Sequence, residues 1–410
     1  MGSKWPIAIP TIFKDLLEDI EVIRTSFDEA QNDDQRIAVI VSAFDEKDVL
    51  PSTLKEMVEL IKGADLSGEI FVILNNGGGN TVEFVKRIVK NKKKLEKQIG
   101  VDKIILGKTC KLKGKWKNSN TIPRKIKLDQ AVPKKTSGVT LVVIRQDQEP
   151  DNAGKIRGLR DIYEFMRRQN QESDYCPRYL LTIDAETRLR RRDPKSGHIF
   201  IEPCYGLKNL IEYSKKGTVM VGAKNLSIPY DAEGNPNWQA TTPPMQEVSS
   251  ILHGLEGYQW LPGGATLGSF KDVVSIMCAI SRKLPGSWVE DTMLTAAAKA
   301  IGIEIAIDQE VIHTNRCPSL EERKMASDQI ERWLMGTEGV RNVIGPSFAK
   351  TVINRKLTKA VAHLLSEFAK GRKVNFLYLL KGLNPYFDVR KRSRLKPNDF
   401  INDPAVFLQC

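Results

Sequence analysis

The segment Arg36-Ile37-Ala38-Val39-Ile40-Val41-Ser42-Ala43 is apolar at both of its alternating sets of positions, so a strand made from it has no face left for water. Such a run belongs in a parallel sheet covered on both sides rather than in an antiparallel sheet with one wet face. Three later runs are of the same kind: 69–74, 139–144 and 179–183. Between them the apolar spacing changes to a helical one, at 50–63, 81–98 and 154–169. This alternation predicts a right-handed, doubly wound α/β sheet. Further elements are predicted as a helix near 12–30, a strand at 218–223, a helix at 289–301 and a short strand at 303–307. From about residue 319 onward the pattern is mostly helical. The expected organisation is an N-terminal helical segment over 1–35, a main domain over 36–336 and a basic helical extension over 337–410. Residues 108–137, lysine-rich, aperiodic and broken by proline, read as an exposed insertion in the main domain.

Composition bears on partners and location. The 410 residues carry a net charge of +13, which favours nucleotide phosphates, acidic lipid surfaces or nucleic acid, or else forms a solvated basic surface. Hydrophobic residues at 41 % and charged residues at 28 % are globular proportions and exclude a disordered chain. Six scattered cysteines without a CxxC pair suit reduced thiols in a cytosolic protein and exclude a disulfide framework or zinc knuckle. The N-terminus gains charges too early for a signal-peptide core, and no window reaches the roughly 18 apolar residues of a spanning helix. The expectation is a cytoplasmic protein that is not integral to a membrane but can lie at its surface.

Several short patterns carry chemistry. Asp184-Ala185-Glu186 follows a strand directly, at the end where open α/β sheets bind ligands. Two carboxylates at that spacing share a hard cation, which neutralises a diphosphate, although the same pattern also occurs on solvated turns. Glu290-Asp291 opens a helix, either as a general base with its neighbour or as acids suited to the helix dipole. Gln329 and Arg332 share a helix face and Trp333 follows; the set suits a phosphate clamp and a sugar-stacking wall, or a surface Arg beside a core Trp. Lys155, after Asn152-Ala153-Gly154, stands at a helix start where phosphate binds. The glycines at 77–79 lack the Lys-Ser/Thr of a phosphate-binding P-loop, so that class is rejected.

In order along the chain, these motifs resemble the family 2 glycosyltransferases, particularly the cellulose, chitin and hyaluronan synthase branch and its ceramide glucosyltransferase relatives. The resemblance runs over about residues 36–336. It implies a GT-A fold, a Rossmann-like, doubly wound mixed sheet with a helical C-terminal extension, and an inverting, metal-dependent transfer from a UDP-sugar. Glucose and N-acetylglucosamine are the sugars it favours. Phe44, Asp45 and Glu46 match the segment bordering the nucleotide base, Asn75 and Asn76 the pair contacting uracil and ribose, and Lys155 a lysine near the nucleotide. Asp184 and Glu186 match the Asp-x-Asp that holds the metal, Mg2+ or Mn2+, and the donor diphosphate. Gly263 and Gly264 match the acceptor loop, and Asp291, beside Glu290, the general base. Gln329, Arg332 and Trp333 match the motif that holds the diphosphate and walls the acceptor pocket. His313 is either a third metal ligand or a buried structural histidine.

The chain departs from the family at Asn75-Asn76, where an acidic pair is usual, and at Glu186, where a second Asp is usual. It also lacks the transmembrane helices of the synthase branch, so transfer is expected to be non-processive. The acceptor is a glycan, a lipid or a protein side chain, and the basic C-terminal stretch either caps the core or contacts an anionic membrane. Two other readings compete: a non-catalytic nucleotide-sugar-binding scaffold of the same fold, and a basic nucleic-acid-binding protein. The last has only charge in its favour, without an aromatic-basic signature or paired zinc ligands.

Overall fold

The computed structural model describes residues 10–27, 33–43, 49–74, 79–111, 124–133, 137–146, 154–191, 193, 195, 198–200, 202–215, 219–228, 261, 264–283, 290–316 and 343–345. The described part of the chain is a ten-stranded mixed sheet with helices on both faces. The strands are β1 (Asp33–Ala43), β2 (Ser67–Leu74), β3 (Lys103–Lys111), β4 (Arg124–Leu128), β5 (Val139–Arg145), β6 (Pro177–Asp184), β7 (Arg188–Arg191), β8 (Val219–Ile228), β9 (Ala265–Ser269) and β10 (Glu304–Arg316). Their order across the sheet is β4-β3-β5-β2-β1-β6-β9-β8-β10-β7. From β3 to β6 all pairs are parallel; β4, β9 and β7 run antiparallel to their neighbours.

The expected two-sided burial is realised residue by residue. In β1, Ala38 and Ile40 enter one core while Ile37, Val39, Val41 and Ala43 enter the other. β2 divides in the same way, Phe71 and Ile73 against Ile70, Val72 and Leu74. The strand period of two sends neighbours to opposite faces, so an unbroken apolar run requires two covering layers. The first layer comprises α1 (Thr11–Thr25), α4 (Gly154–Ser173), α6 (Phe270–Lys283) and α7 (Glu290–Ala300). The second comprises α2 (Leu50–Gly63), α3 (Gly79–Ile99) and α5 (Cys204–Ser214). Among the described residues, no helix is long and apolar enough to cross a membrane.

α1 is integrated into the first core rather than standing apart from it. Phe13, Leu16, Ile20 and Ile23 recur at helical spacing and are buried. Arg24 Nε donates to Asp272 Oδ1 at 2.7 Å, and Asp272 accepts from Ser269 Oγ at 2.6 Å while its own N–H donates back at 3.1 Å. That reciprocal Ser269–Asp272 pair caps α6 and ties it to α1.

The predicted insertion at 108–137 is partly sheet: the end of β3 and all of β4 form an antiparallel edge pair within it. Lysine obscured the strand pattern. Ile126 faces the core while Lys125 and Lys127 face solvent, and charged residues on an edge strand prevent it from pairing with other chains. The C-terminal extension lies outside the described residues apart from 343–345, where Val343 and Ile344 join the first core.

At the start of β1 and β2, Arg36 and Glu69 form a buried ion pair at 2.5 Å. Tyr175 Oη donates to Glu69 Oε2 at 2.8 Å, its ring lies under the Arg36 guanidinium, and Arg36 also donates to the Pro133 carbonyl. Burial, followed by the Glu69 charge, raises the Tyr175 pKa well above its ordinary value, so the phenol remains a donor. Next to this cluster, a Cβ on Gly68 would lie 1.8 Å from the Ile37 carbonyl oxygen, so only glycine admits this strand contact. Glu69→Ala, which leaves Arg36 buried without its partner, is expected to lower stability by about 3–5 kcal/mol in equilibrium denaturation.

Candidate functional site

The sheet reverses its direction of growth at β1. The chain passes from β1 to β2 on one side and later places β6 on the other. In a parallel sheet this leaves a crevice beyond the carboxyl ends of the two strands, where ligands bind. Asp184 is the last residue of β6 and pairs with Ser42 of β1 at that crevice.

Backbone hydrogen bonds from several elements hold the turn that follows. Thr187 N–H donates to Asp184 O at 2.9 Å and closes the turn. Ala185 N–H donates to Ser42 O at 3.2 Å, and Asp184 N–H donates to Gly264 O at 3.4 Å. From α2, Thr53 Oγ1 donates to Ala185 O at 2.5 Å. Ala185 is thereby buried, while Asp184 and Glu186 on either side of it are half-buried.

Beneath the turn, Arg188 is buried to 1 % exposure. Its guanidinium donates to the Thr53 hydroxyl, to Ser52 Oγ at 2.8 Å and to Thr187 O at 3.2 Å, and pairs with Glu56 at 3.4 Å. Glu56 also pairs with Arg190, so one carboxylate on α2 holds two arginines of β7. The arginine-rich run after Asp-x-Glu is therefore an internal brace.

His313 lies next to the turn on β10, with no exposed surface. Between Asp308 and Ile312 the pairing of β10 with β8 shifts register, a bulge that sets the position of the residues after it. There Thr314 Oγ1 accepts from Arg188 N–H at 3.1 Å, and His313 Nδ1 lies 2.8 Å from Ala223 O. A carbonyl oxygen only accepts, so Nδ1 carries the hydrogen. Burial lowers the His313 pKa to about 4, against weaker opposing contributions from Ala223 and the Asp184 charge. The ring is therefore neutral at physiological pH, with a bare lone pair on Nε2. That atom is fully buried and has no hydrogen-bond partner among the described residues. A neutral imidazole oriented through its other nitrogen is the form that binds metals.

Two half-buried carboxylates and this nitrogen suit Mg2+ or Mn2+ chemically. They do not form a preassembled cluster: among the described residues, no group of three or more His, Cys, Asp or Glu side chains is arranged to hold a metal ion.

α7 begins at Glu290, and Asp291 lies half-buried in its first turn. Thr295 Oγ1 donates to Asp291 O at 2.8 Å and accepts from Leu261 N–H at 3.1 Å. Gly264, three residues beyond Leu261, accepts from Asp184. Gly264 thus contacts the Asp-x-Glu turn, and Leu261 the helix that carries Asp291.

These links connect the backbones of Asp184, Gly264 and Asp291, and His313 lies near enough to Asp184 to feel its charge. Phe44, Asp45, Glu46, Asn75, Asn76, Gly263, Gln329, Arg332 and Trp333 lie outside the described residues, as do the side chains of Lys155 and Glu290 within α4 and α7. Sequence reasoning missed Thr53 and Thr295. Neither belongs to a motif, and their partners lie 132 and 34 residues away.

No protein-family model matches the chain, and no curated protein matches it. Among solved structures it is similar to the mannosyltransferase PcManGT from Pyrobaculum calidifontis in complex with GDP-Man and Mn2+, at 13 % identity and a TM-score of 0.42, over 96 % of this chain and 94 % of that one. The functional reading rests on this chain's own residues.

Thr53→Val removes the donor to Ala185 O and an acceptor for Arg188, both buried. It is expected to cost about 1–3 kcal/mol in chemical denaturation, with Thr53→Ser close to wild type.

Proposed function

We propose that this chain is a GT-A glycosyltransferase of the family 2 type, transferring a sugar with inversion from a nucleotide diphosphate donor to an acceptor hydroxyl, without processive polymer export. A UDP-sugar carrying glucose or N-acetylglucosamine is the favoured donor, and the acceptor is a glycan, a lipid or a protein side chain. The observation that carries the reading is the set of hydrogen bonds that ties Gly264 to the Asp184 turn and Leu261 to the helix of Asp291. It joins a diphosphate-binding element to a candidate base at the carboxyl end of a doubly wound sheet.

The chemistry is a single displacement. The Asp291 carboxylate takes the proton of the acceptor hydroxyl, whose oxygen bonds to the anomeric carbon as the carbon–oxygen bond to the diphosphate breaks. The electron pair of that bond leaves on the diphosphate oxygen. Asp184, Glu186 and His313 would hold Mg2+ or Mn2+, which when bound supplies positive charge against the departing diphosphate. Gln329 and Arg332 are assigned to the diphosphate as well, Arg332 through charge-assisted hydrogen bonds. Phe44, Asp45, Glu46, Asn75, Asn76 and Lys155 are assigned to the nucleotide, and Gly263, Gly264 and Trp333 to the acceptor. Glu290, the sequence neighbour of Asp291, is assigned to the base with it.

The test is nucleoside diphosphate release from UDP-glucose, UDP-N-acetylglucosamine and GDP-mannose, with Mn2+ or Mg2+ and a panel of acceptors. Turnover of one donor is expected, abolished by chelation and reduced about 100- to 10,000-fold in Asp291→Asn, the range for loss of a general base. Absence of both turnover and metal-dependent donor binding would overturn the proposal.

A further inference from the structure

Among the described residues, α3 and the β3–β4 edge form a surface rich in cations. α3 carries seven cations, Lys86, Arg87, Lys90, Lys92, Lys93, Lys94 and Lys97, against two carboxylates, Glu83 and Glu96. All the cations except Lys92 are exposed, while Phe84, Ile88, Leu95 and Ile99 anchor the opposite side of the helix in the second core. The β3–β4 edge extends this surface. Ile104 of β3 belongs to the second core, so Lys108, an even number of positions along the strand, projects to the same side of the sheet as α3. Ile126 of β4 belongs to the first core, so its neighbours Lys125 and Lys127 also project to the α3 side. Lys108, Lys125 and Lys127 are all exposed.

The folded chain holds these charges against their mutual repulsion. Lys108 stands directly opposite Lys127 in the ladder, a like-charged cross-strand pair that weakens a sheet. In α3, Lys86 and Lys90, and Lys93 and Lys97, are four apart, and like charges at that spacing weaken a helix. None of these residues is ion-paired with a described carboxylate. Val89, 67 % exposed, stands one turn from Lys86 and next to Lys90, just before the kink at Asn91 that separates it from Lys92–Lys97.

We propose that the outer face of α3 with the β3–β4 edge is a docking surface for an anionic membrane leaflet, on which the lysines meet lipid headgroups and Val89 enters the interface. Clustered cations bind acidic lipid headgroups through charge, and an aliphatic side chain among them adds buried apolar area at the headgroup boundary. A nucleic acid matches the charge alone. It gains nothing from Val89, and the exposed large hydrophobic residues among those described, Val22, Val89 and Tyr205, put no aromatic on this face for bases to stack on. The surface is built from segments other than the basic sequence at 390–396 and does not depend on the catalytic reading.

The experiment is flotation of the full chain with vesicles of phosphatidylcholine alone or mixed with phosphatidylglycerol, at low and high salt. Four proteins are compared: wild type, Lys90→Glu/Lys93→Glu/Lys94→Glu, Val89→Asp, and a C-terminal control, Arg390→Glu/Lys391→Glu/Arg392→Glu. Wild type is expected to float only with anionic vesicles and to be released by salt. The α3 triple variant should bind at least about a hundredfold more weakly and Val89→Asp measurably more weakly, while the C-terminal control stays within a few-fold of wild type. Thermal melting verifies folding, and the triple variant should melt no lower than wild type because it relieves like-charge contacts. Binding retained by a folded triple variant, binding lost only in the C-terminal control, no binding to anionic vesicles at low salt, or full displacement from vesicles by equimolar duplex DNA would each overturn the proposal.

Discussion

Both hydrogen-bonding groups of Ala185 are taken by other elements, its N–H by Ser42 of β1 and its C=O by Thr53 of α2. An Asp-x-Glu on an open loop has two carboxylates that move independently and repel each other. Fixing the residue between them fixes the backbone from which both side chains start. The hold depends on the β1–β6 register, which sets Ser42 opposite Asp184, and on Arg188, whose buried guanidinium positions the Thr53 hydroxyl. The same turn reaches Gly264 and, through Leu261 and Thr295, the backbone of Asp291. The geometry of the site therefore derives from the pairing of two parallel strands.

Those strands have a second polar anchor at their other end. Arg36 and Glu69, at 2 % and 0 % exposure, pair near the starts of β1 and β2, and between the two anchors the strands are almost wholly apolar. A buried ion pair contributes little net stability over an apolar replacement, but it penalises misalignment heavily. A slip of β1 against β2 by one residue would turn Arg36 to the other face and leave two charges buried and unpaired. Apolar runs such as Ile37–Val41 are permissive about register, so polar pairs at both ends supply the specificity that the apolar middle lacks.

This division explains which parts were legible in the sequence. β1, β2, β5 and β6 appear as β-branched runs because two-sided burial leaves no polar positions to disguise them. β3 and β4 were hidden because an edge strand carries lysine, and β7 because its arginines are compensated by Glu56, Ser52 and Thr53 from a helix more than a hundred residues away. α6, packed between the sheet and its neighbours α1, α4 and α7, was passed over in the sequence although its apolar residues recur at helical spacing. In the site, Asp184, Glu186 and Asp291 were legible as motif residues. Thr53 and Thr295 were not, because a hydroxyl that bridges two backbones is defined by its partners and not by its neighbours in sequence.

Charge is segregated by the same architecture. Helix α3 alone contributes seven cations against two carboxylates to a chain whose net charge is +13, and it lies on the second layer over the half of the sheet remote from His313. At the crevice, arginines are buried and matched to a glutamate, and the carboxylates are the half-buried groups. An anion drawn by the overall field would reach the basic face first, across water that screens over about 8–10 Å. On the proposed reading, selectivity in the crevice comes from short-range geometry, with a cation between the carboxylates and the anion. Long-range attraction is thereby separated from local chemistry, and a surface that gathers acidic partners does not fill the site with them.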